Sequence, residues 1–438
     1  MSQRTASADG AATGLATPSV PEPPAGDAAT RRAAVRVDRA LTELRRGRPV
    51  RLVDDDGGVL LVAAVETLIP ATWSTLRSVA ASESIVNAVG GISLALSPER
   101  AYAAGWTRTP PRPTAGAVVN GNGAGSFCAR AGDVPFIVHL PPEFDLARLP
   151  ALAGLDPAAG EATLAERGAA QGVLPGAAAA VVAAAIELTR LSRLVPAVLV
   201  ARPAGHVAAA ARPVDDELLA VEVADLLSFP ANRAATLLRV SEAAVPLADH
   251  EDCRFVLFRE TAADFEHVAI VVGRPDPRQP VTIRMHSSCL TGDLFGSLRC
   301  DCGDQLRGAI ERLGEGGGVL LYLAQEGRGI GLANKLRAYA RQDEGFDTID
   351  ADRYLGFRGD ERNFGVAVQM LHALGITRVR LLTNNPAKID ALRAAGLDVV
   401  ERLPIPAPVN RHNERYLTTK RDRAGHLIDV LAAARQVL

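Results

Sequence analysis

This chain is short of lysine, of cysteine and of excess charge of either sign, and each shortage excludes something. Among its 438 residues, 48 are Lys or Arg and 50 are Asp or Glu, a formal net charge of −2. No global field therefore draws it toward nucleic acid or a membrane surface. No apolar run reaches the ~20 residues of a transmembrane helix, and the N-terminus lacks the apolar core of a secretory signal. A cytoplasmic protein with no nucleic-acid or membrane partner is the expectation. Cysteine is held to 5 residues, and a long chain with few cysteines and an odd count does not suit a disulfide framework. Lysine is rarer still: Lys335, Lys388 and Lys420 are the only 3, all in the C-terminal part. Where arginine has displaced lysine almost everywhere, a surviving lysine is a candidate for work that needs a compact point charge.

Cysteine, though scarce, is concentrated. Cys289, Cys300 and Cys302 fall in RMHSSCLTGDLFGSLRCDCGDQL, and only Cys128 and Cys253 lie elsewhere. A short loop can bring these thiolates to one point. Zinc favours soft ligands in tetrahedral geometry, and three protein ligands leave a corner for water, the arrangement of a catalytic zinc. Two other readings stay open: three reduced core cysteines, or a closed structural site completed by Cys253 or His286.

The apolar content of 48% allows large cores, and the length allows two or three domains. Residues 1–32 are rich in Ala, Pro, Gly, Ser and Thr, and are expected to be disordered. Val37, Leu41 and Leu44 then lie at helical spacing before Gly47. VRLVDDDG reads as strand and turn, LLVAAVET as a strand, Ala177–Leu191 as a helix and PAVLVAR as a buried strand. Alternating elements point to an α/β or α+β domain over residues 33–225. A linker is expected over 226–250. A second α/β domain follows over 251–438, with strands at CRFVLFRE, HVAIVVG, VTIRMHS, GVLLYLAQ, VRLLTNN and DVVERLPI.

Its chemistry-bearing residues cluster where strands end. Arg284, His286 and the cysteine loop follow VTIRM. EGRGIG (326–331) follows a buried strand, and its glycines let backbone approach a ligand while Arg328 offers a planar fork for phosphate. An ordinary strand–helix turn is the plainer reading of that loop alone. GFRGDERNFG packs Asp360, Glu361 and Arg362 ahead of an apolar helix, where acids also serve a helix dipole. In TNNPAK, Thr383 and Lys388 can hold phosphate oxygens at a helix N-terminus or simply cap it. Tyr339, at helical spacing, says little alone.

Taken together, HSSCLTGD, SLRCDCGDQL, QEGRGIGLANKLRAY, DTIDA, LGFRGDERNF, LLTNNPAK and NERYLTTKRDRAGH resemble GTP cyclohydrolase II across residues 250–428. The resemblance implies an α/β fold and an enzyme that opens the imidazole ring of GTP, releases formate and cleaves pyrophosphate at the first step to riboflavin. It implies Zn²⁺ on Cys289, Cys300 and Cys302, with Mg²⁺ on the triphosphate. It implies GTP contacts from Arg284, Met285, His286, Ser287, Ser288, Gln305, Glu326, Gly327, Arg328, Thr348, Thr383 and Lys388. Asp360 resembles the proton acceptor, Arg362 the arginine assigned as nucleophile toward the α-phosphate, and Tyr339 a tyrosine near the guanine. A guanidinium stays protonated, so physical chemistry favours Arg362 as a phosphate clamp. The expected assembly is a homodimer. One position departs: the family reads HSEC where this chain has Ser288, which puts substrate choice or completion of the second hydrolysis in question.

VDRALTELRRGRPVRLVDDDGGVLLVAAVET is similar to the start of 3,4-dihydroxy-2-butanone 4-phosphate synthase. That enzyme needs an acidic loop after the first strand and a later Arg-x-Gly-His-Thr-Glu segment. Here Asp54–Asp56 run straight through two glycines into the next strand, and VLPGAAAA (173–180) stands at the later segment. Without those acids and the histidine nothing holds a metal or moves protons, so this domain is expected to be inactive as a synthase. GNGAG (121–125) reads as a flexible turn. Two other functions remain beside GTP ring opening: a diverged enzyme acting on another nucleotide or stopping at the formamide, and a non-catalytic GTP-binding zinc sensor.

Overall fold

Two seven-stranded sheets, each with its own helices, organise the chain. The structure is a computed structural model and describes residues 28–80, 91–107, 134–155, 171–173, 177–203, 218–263, 265–406 and 408–428. The GNGAG turn and Cys128 lie outside the described residues, as does part of VLPGAAAA.

Helix α1 (Ala28–Arg45) buries Val37, Leu41 and Leu44, the face their spacing predicts. It begins inside the segment expected to be disordered, because AATRRAA consists mostly of strong helix formers. Strands β1 (Val50–Val53) and β2 (Val59–Ala64) form a hairpin. Helix α2 (Pro70–Val79), strand β3 (Ile92–Leu96), helix α3 (Pro98–Ala103), strand β4 (Phe136–His139), the short helix α4 (Leu149–Leu152) and strand β5 (Gln171–Val173) follow. Helix α5 (Ala177–Leu191), strands β6 (Ala197–Ala201) and β7 (Ala220–Glu222) and helix α6 (Val223–Ala235) complete this half. The sheet order is β5-β4-β3-β6-β2-β1-β7, antiparallel except for the β1–β7 pair. One face packs Leu41, Leu52, Leu188 and Phe229, and the other Leu61, Trp73, Leu94 and Trp106.

Residues 226–250, expected as a linker, are ordered structure. They complete α6, whose Phe229 enters the first core and whose Ala234 enters the second. They also form β8 (Leu237–Ala244), an edge strand of the second sheet. An edge strand exposed along its second half needs little apolar alternation, which is why the pattern hid it.

The second sheet runs β14-β13-β11-β12-β10-β9-β8. Its remaining strands are β9 (Cys253–Glu260), β10 (Glu266–Val272), β11 (Val281–Ser287), β12 (Gly318–Leu323), β13 (Arg378–Leu382) and β14 (Asp398–Leu403). Helices α7 (Cys302–Gly314), α8 (Gly331–Asp343), α9 (Thr348–Tyr354), α10 (Gly365–Ala373) and α11 (Pro386–Ala394) intervene, and α12 (Glu414–Ala424) follows β14. Strands β12, β11, β13 and β14 are mutually parallel, and β10, β9 and β8 continue antiparallel. Phe258, Ile283, Met285, Leu321, Met370 and Leu381 fill the core.

Phe258 is fully buried there. Truncation to alanine should cost about 3–5 kcal/mol, read as a lowered denaturant midpoint; an unchanged midpoint would mean this core is not as described.

Candidate functional site

Three parallel strands end at one pocket. Strand β11 leads into Ser288 and Cys289, β12 into Gln325 to Arg328, and β13 into Thr383 to Asn385. Parallel sheets bind ligands beyond the carboxyl ends of their strands. The empty volume, mouth included, is about 1060 Å³, room enough for a nucleotide. Its lining includes Arg284, His286, Ser287, Ser288, Cys289, Cys300, Cys302, Gln305, Glu326, Gly327, Arg328, Tyr339, Thr348, Arg362, Thr383 and Lys388. Two residues expected at the site stand outside this lining. Met285 is buried in the core and presents its carbonyl, 2.7 Å from Lys388 Nζ. Asp360 sits behind Arg362, accepting from its Nε at 2.8 Å.

The cysteine sulfurs lie within 4.8 Å of one another, and those of Cys289 and Cys300 are 3.7 Å apart. Two corners of a tetrahedron with ~2.3 Å bonds to sulfur lie ~3.8 Å apart, so this spacing fits zinc. The backbone is shaped around it. Gly292 Nα donates to Cys289 Sγ at 3.3 Å. A Cβ on Gly292 would lie 2.8 Å from Cys300 Sγ and 3.0 Å from Cys289 Sγ, so no side chain fits. Neither proposed fourth ligand joins the cluster. Cys253 opens β9, paired with Val272 of β10, with its thiol on the His250 carbonyl, and His286 Nε2 faces both oxygens of Asp293 at 3.1 Å. The trio keeps an open corner among the described residues.

The sulfurs share their protons unequally. Hydrogen bonds from the Cys300 and Cys302 thiols, reinforced by Lys335, hold the Cys289 thiol far below its usual value against its own burial. The partner thiols move up, Cys300 to about 11 through its bond to Cys289, and Cys302 well above the ordinary value for the same reason. A soft dication replaces such shared protons. Lys335 Nζ lies 3.0 Å from Cys289 Sγ, 2.8 Å from Thr291 Oγ1 and 2.8 Å from Glu326 Oε1. Burial opposes its charge, but the bonds to Cys289 and Glu326 keep it protonated. Glu326 Oε2 also accepts from Leu290 Nα at 2.7 Å, and Asp293 Oδ2 from Cys289 Nα at 2.9 Å. These bonds fix the direction of the Cys289 side chain, the task of groups around metal ligands.

The same pocket carries a set of basic side chains beside the sulfurs. Arg284 donates to the Leu382 carbonyl at 3.0 Å and to Gln305, and burial lowers it to about 10. Lys388 is buried, and burial plus the charges of Arg284 and Arg362 depress it well below a normal lysine. Neither forms an ion pair among the described residues, and the charges of Asp301 near Arg284 and of Asp360 near Lys388 offset their burial only in part. Arg362 forks onto Asp360 and stays charged through that pair despite its own desolvation. Asp360 is held below the usual carboxylate range by the same guanidinium, against the effect of desolvation. His426 is driven down to about 2 by burial and then by Lys420, so it is neutral.

The expected set omitted several pocket residues. All 3 lysines of the chain line the pocket, not Lys388 alone. Their rarity was the available signal. Lys420 Nζ bonds Asp301 Oδ1 at 2.8 Å, and Asp301 Oδ2 accepts from Gln305, which in turn holds Arg284. Asp352, 4% exposed, lies 3.7 Å from Arg328. Burial raises its pKa to about 7 despite that arginine. Tyr322 and Asp293 buttress His286, which stacks on the Tyr322 ring. Asp293 ends the HSSCLTGD stretch already quoted, whereas Asp352 and Tyr322 are brought in by packing alone.

Two outcomes follow from this geometry. Gly292→Ala should strip the bound metal, seen as a fall of ~10-fold or more in metal affinity; retention of full metal content would contradict the cradle. Asp352 binds its proton more tightly folded than unfolded, where a carboxyl sits near ~3.9. Stability should therefore fall as pH rises from ~4 to ~7, and Asp352→Asn should flatten that slope. Denaturation midpoints at several pH values test this, and an unaltered slope would refute it.

A family model for GTP cyclohydrolase II matches residues 238–404. GTP cyclohydrolase-2 of Xylella fastidiosa is 40% identical over 401 residues, covering 91% of this chain and 88% of the relative. GTP cyclohydrolase-2 of Azospirillum brasilense is 52% identical over 246 residues, covering 56% of this chain and 64% of the relative. Riboflavin biosynthesis protein RibBA of Porphyromonas gingivalis is 45% identical over 207 residues, covering 47% of this chain and 51% of the relative. The last two alignments thus span less than two thirds of those relatives, whereas the first runs through both sheets and nearly the full length of both proteins. On that near-complete alignment, the chain belongs to the GTP cyclohydrolase II family.

Proposed function

We propose that this protein hydrolyses GTP, opening the imidazole ring and releasing formate and pyrophosphate, to leave a diaminopyrimidine phosphoribosylamine for riboflavin biosynthesis. The observation that carries this reading is a three-sulfur cluster lining the same pocket as Arg284 and Lys388, two buried basic groups with no ion pair among the described residues. Zn²⁺ on Cys289, Cys300 and Cys302 would supply an activated water near neutral pH.

The chain's own residues do the rest. Arg284 and Lys388 take the triphosphate, with Mg²⁺, as their missing counter-anion. Arg362 clamps the α-phosphate: its guanidinium is locked in charged form on Asp360 and cannot be a free nucleophile. Asp360, ionised on Arg362, is the proposed proton acceptor. Glu326, Gly327 and Arg328 close the wall beside Cys289. Tyr339, its phenol raised chiefly by burial, stays neutral and lines the pocket beside the guanine, with Arg299 and Lys335 held over its ring. Lys335 donates to the Cys289 sulfur and balances its negative charge.

A homodimer and a cytoplasmic location are proposed, a reducing compartment being the one that keeps unliganded thiols free of disulfides. The N-terminal half is proposed to be an inactive relative of the butanone phosphate synthase. Asp54 is already occupied in its own turn, its Oδ1 accepting from Asp56 Nα at 3.1 Å and from Gly58 Nα.

Zinc-loaded protein should release one formate per GTP, a chelator should abolish release, and ribulose 5-phosphate should give no product. Lys388→Met should raise KM for GTP ~10–100-fold through loss of a charge-assisted contact. Tight GTP binding without formate would overturn the hydrolase reading in favour of a sensor. Formate from another nucleotide only, or formamide accumulation, would point to Ser288 as a site of divergence.

A further inference from the structure

The N-terminal half contributes no residue to the pocket lining among the described residues, yet its side chains land on two of the pocket's walls. The first landing is on α8. Glu66 accepts from Arg337 NH2 at 2.7 Å through one oxygen and from Val195 Nα at 2.8 Å through the other. Arg337 NH1 donates to Asn334 Oδ1 at 2.7 Å, and the fully buried Asn334 donates to the Arg193 carbonyl at 2.8 Å. Arg193, with φ of 59°, reaches on to the Ala324 carbonyl at 3.2 Å. Its methylenes abut Gly331, where a Cβ would lie 3.1 Å from Arg193 Cδ. These contacts bracket Lys335, whose ammonium bonds the Cys289 sulfur.

The second landing is on the stretch Tyr354 to Arg358. Glu187 receives Arg358 NH2 at 2.9 Å and Arg190 NH1 at 3.3 Å. Arg190 Nε donates to the Gly356 carbonyl at 3.3 Å, and Arg100 donates to the Tyr354 carbonyl. Gly356, at φ of 91°, sits so close that a Cβ would be 3.1 Å from Ser97 Oγ. This stretch joins α9, which carries Thr348 and Asp352, to Arg362.

We propose that the N-terminal half serves as a positioning frame for the pocket, with Glu66 setting the helix of Lys335 and Glu187 setting the loop of Arg362. Neither glutamate lines the pocket; each acts through an arginine of the other half. The two act on different chemistry, so their loss must give different signatures. Glu187 is the more buried of the two, and without it Arg358 keeps the longer contact to Glu361 at 3.8 Å, while Arg337, half-exposed, keeps Asn334; each loss lets an arginine move the backbone it holds. The kinetic part of this inference rests on the GTP reading; the spectroscopic and binding parts do not need turnover.

The test uses full-length protein with Glu66→Gln and Glu187→Gln. With cobalt(II) in place of zinc, Glu66→Gln should shift the sulfur-to-cobalt absorption band, because the Lys335 bond to Cys289 moves, while Glu187→Gln should not. Titration with inorganic triphosphate in a calorimeter should show ~10-fold weaker binding in Glu187→Gln and little change in Glu66→Gln. With GTP, the first variant should lose kcat and the second should gain KM. If Glu187→Gln does not fold, Arg358→Lys, which keeps the charge but loses the fork, takes its place. Spectra, triphosphate affinity, kcat and KM all at wild-type values, with only the melting temperature lowered, would overturn the frame. A wild-type protein that binds triphosphate but releases no formate would sink the GTP reading and leave the frame to the spectrum and the titration.

Discussion

The hydrogen bond between the Lys335 ammonium and the Cys289 sulfur is where the electrostatics of this protein close. Three thiolates on a dication leave one negative charge, and burial makes an unneutralised charge expensive. Lys335 supplies the compensating positive charge at 3.0 Å while tied to Glu326 and Thr291. Arginine could not do this as well: its charge is spread over a planar fork, whereas the place beside a single sulfur suits a compact ammonium. The lysine depends on α8, α8 begins directly after the Gly327–Gly329 turn, and that turn depends on Gly327 and Arg328 both holding positive φ. A loop, a helix and a metal cradle thus share one constraint.

A second constraint sits across the pocket. Arg284 and Lys388 are buried without carboxylate partners among the described residues, although Asp301 and Asp360 lie near. Those acids are already bound, Asp301 to Lys420 and Gln305, Asp360 to Arg362. The pocket thus holds back Arg284 and Lys388 for a ligand, the charge on Lys388 being disfavoured by burial until an anion arrives, and pairs the others internally. A polyanion meets the vacancy, and a neutral ligand leaves it unmet.

Much of this was legible in the chain. Strands such as Cys253–Glu260 and Val281–Ser287 and the helix Ala177–Leu191 have the lengths and bounds their residue patterns announce. The α/β class followed from their alternation. The cysteine trio was readable because zinc chemistry demands particular spacings, and the lysines because the chain has so few. What the pattern hid has a common physical character. Strand β8 is a largely exposed edge and carries little apolar alternation. Asp352 lies on an ordinary-looking short helix, and burial, with the nearby charges of Asp360, Glu361 and Asp347, gives it its raised pKa. The links from Glu66 to Arg337 and from Glu187 to Arg358 join residues far apart in sequence, and nothing local marks either partner.

X-ray absorption at the metal edge of the purified protein tests the central claim most directly. The account predicts zinc with three sulfur neighbours at ~2.3 Å and one lighter oxygen neighbour at the fourth position. A shell of four protein ligands, a shell with fewer than three sulfurs, or no bound metal at all would contradict it.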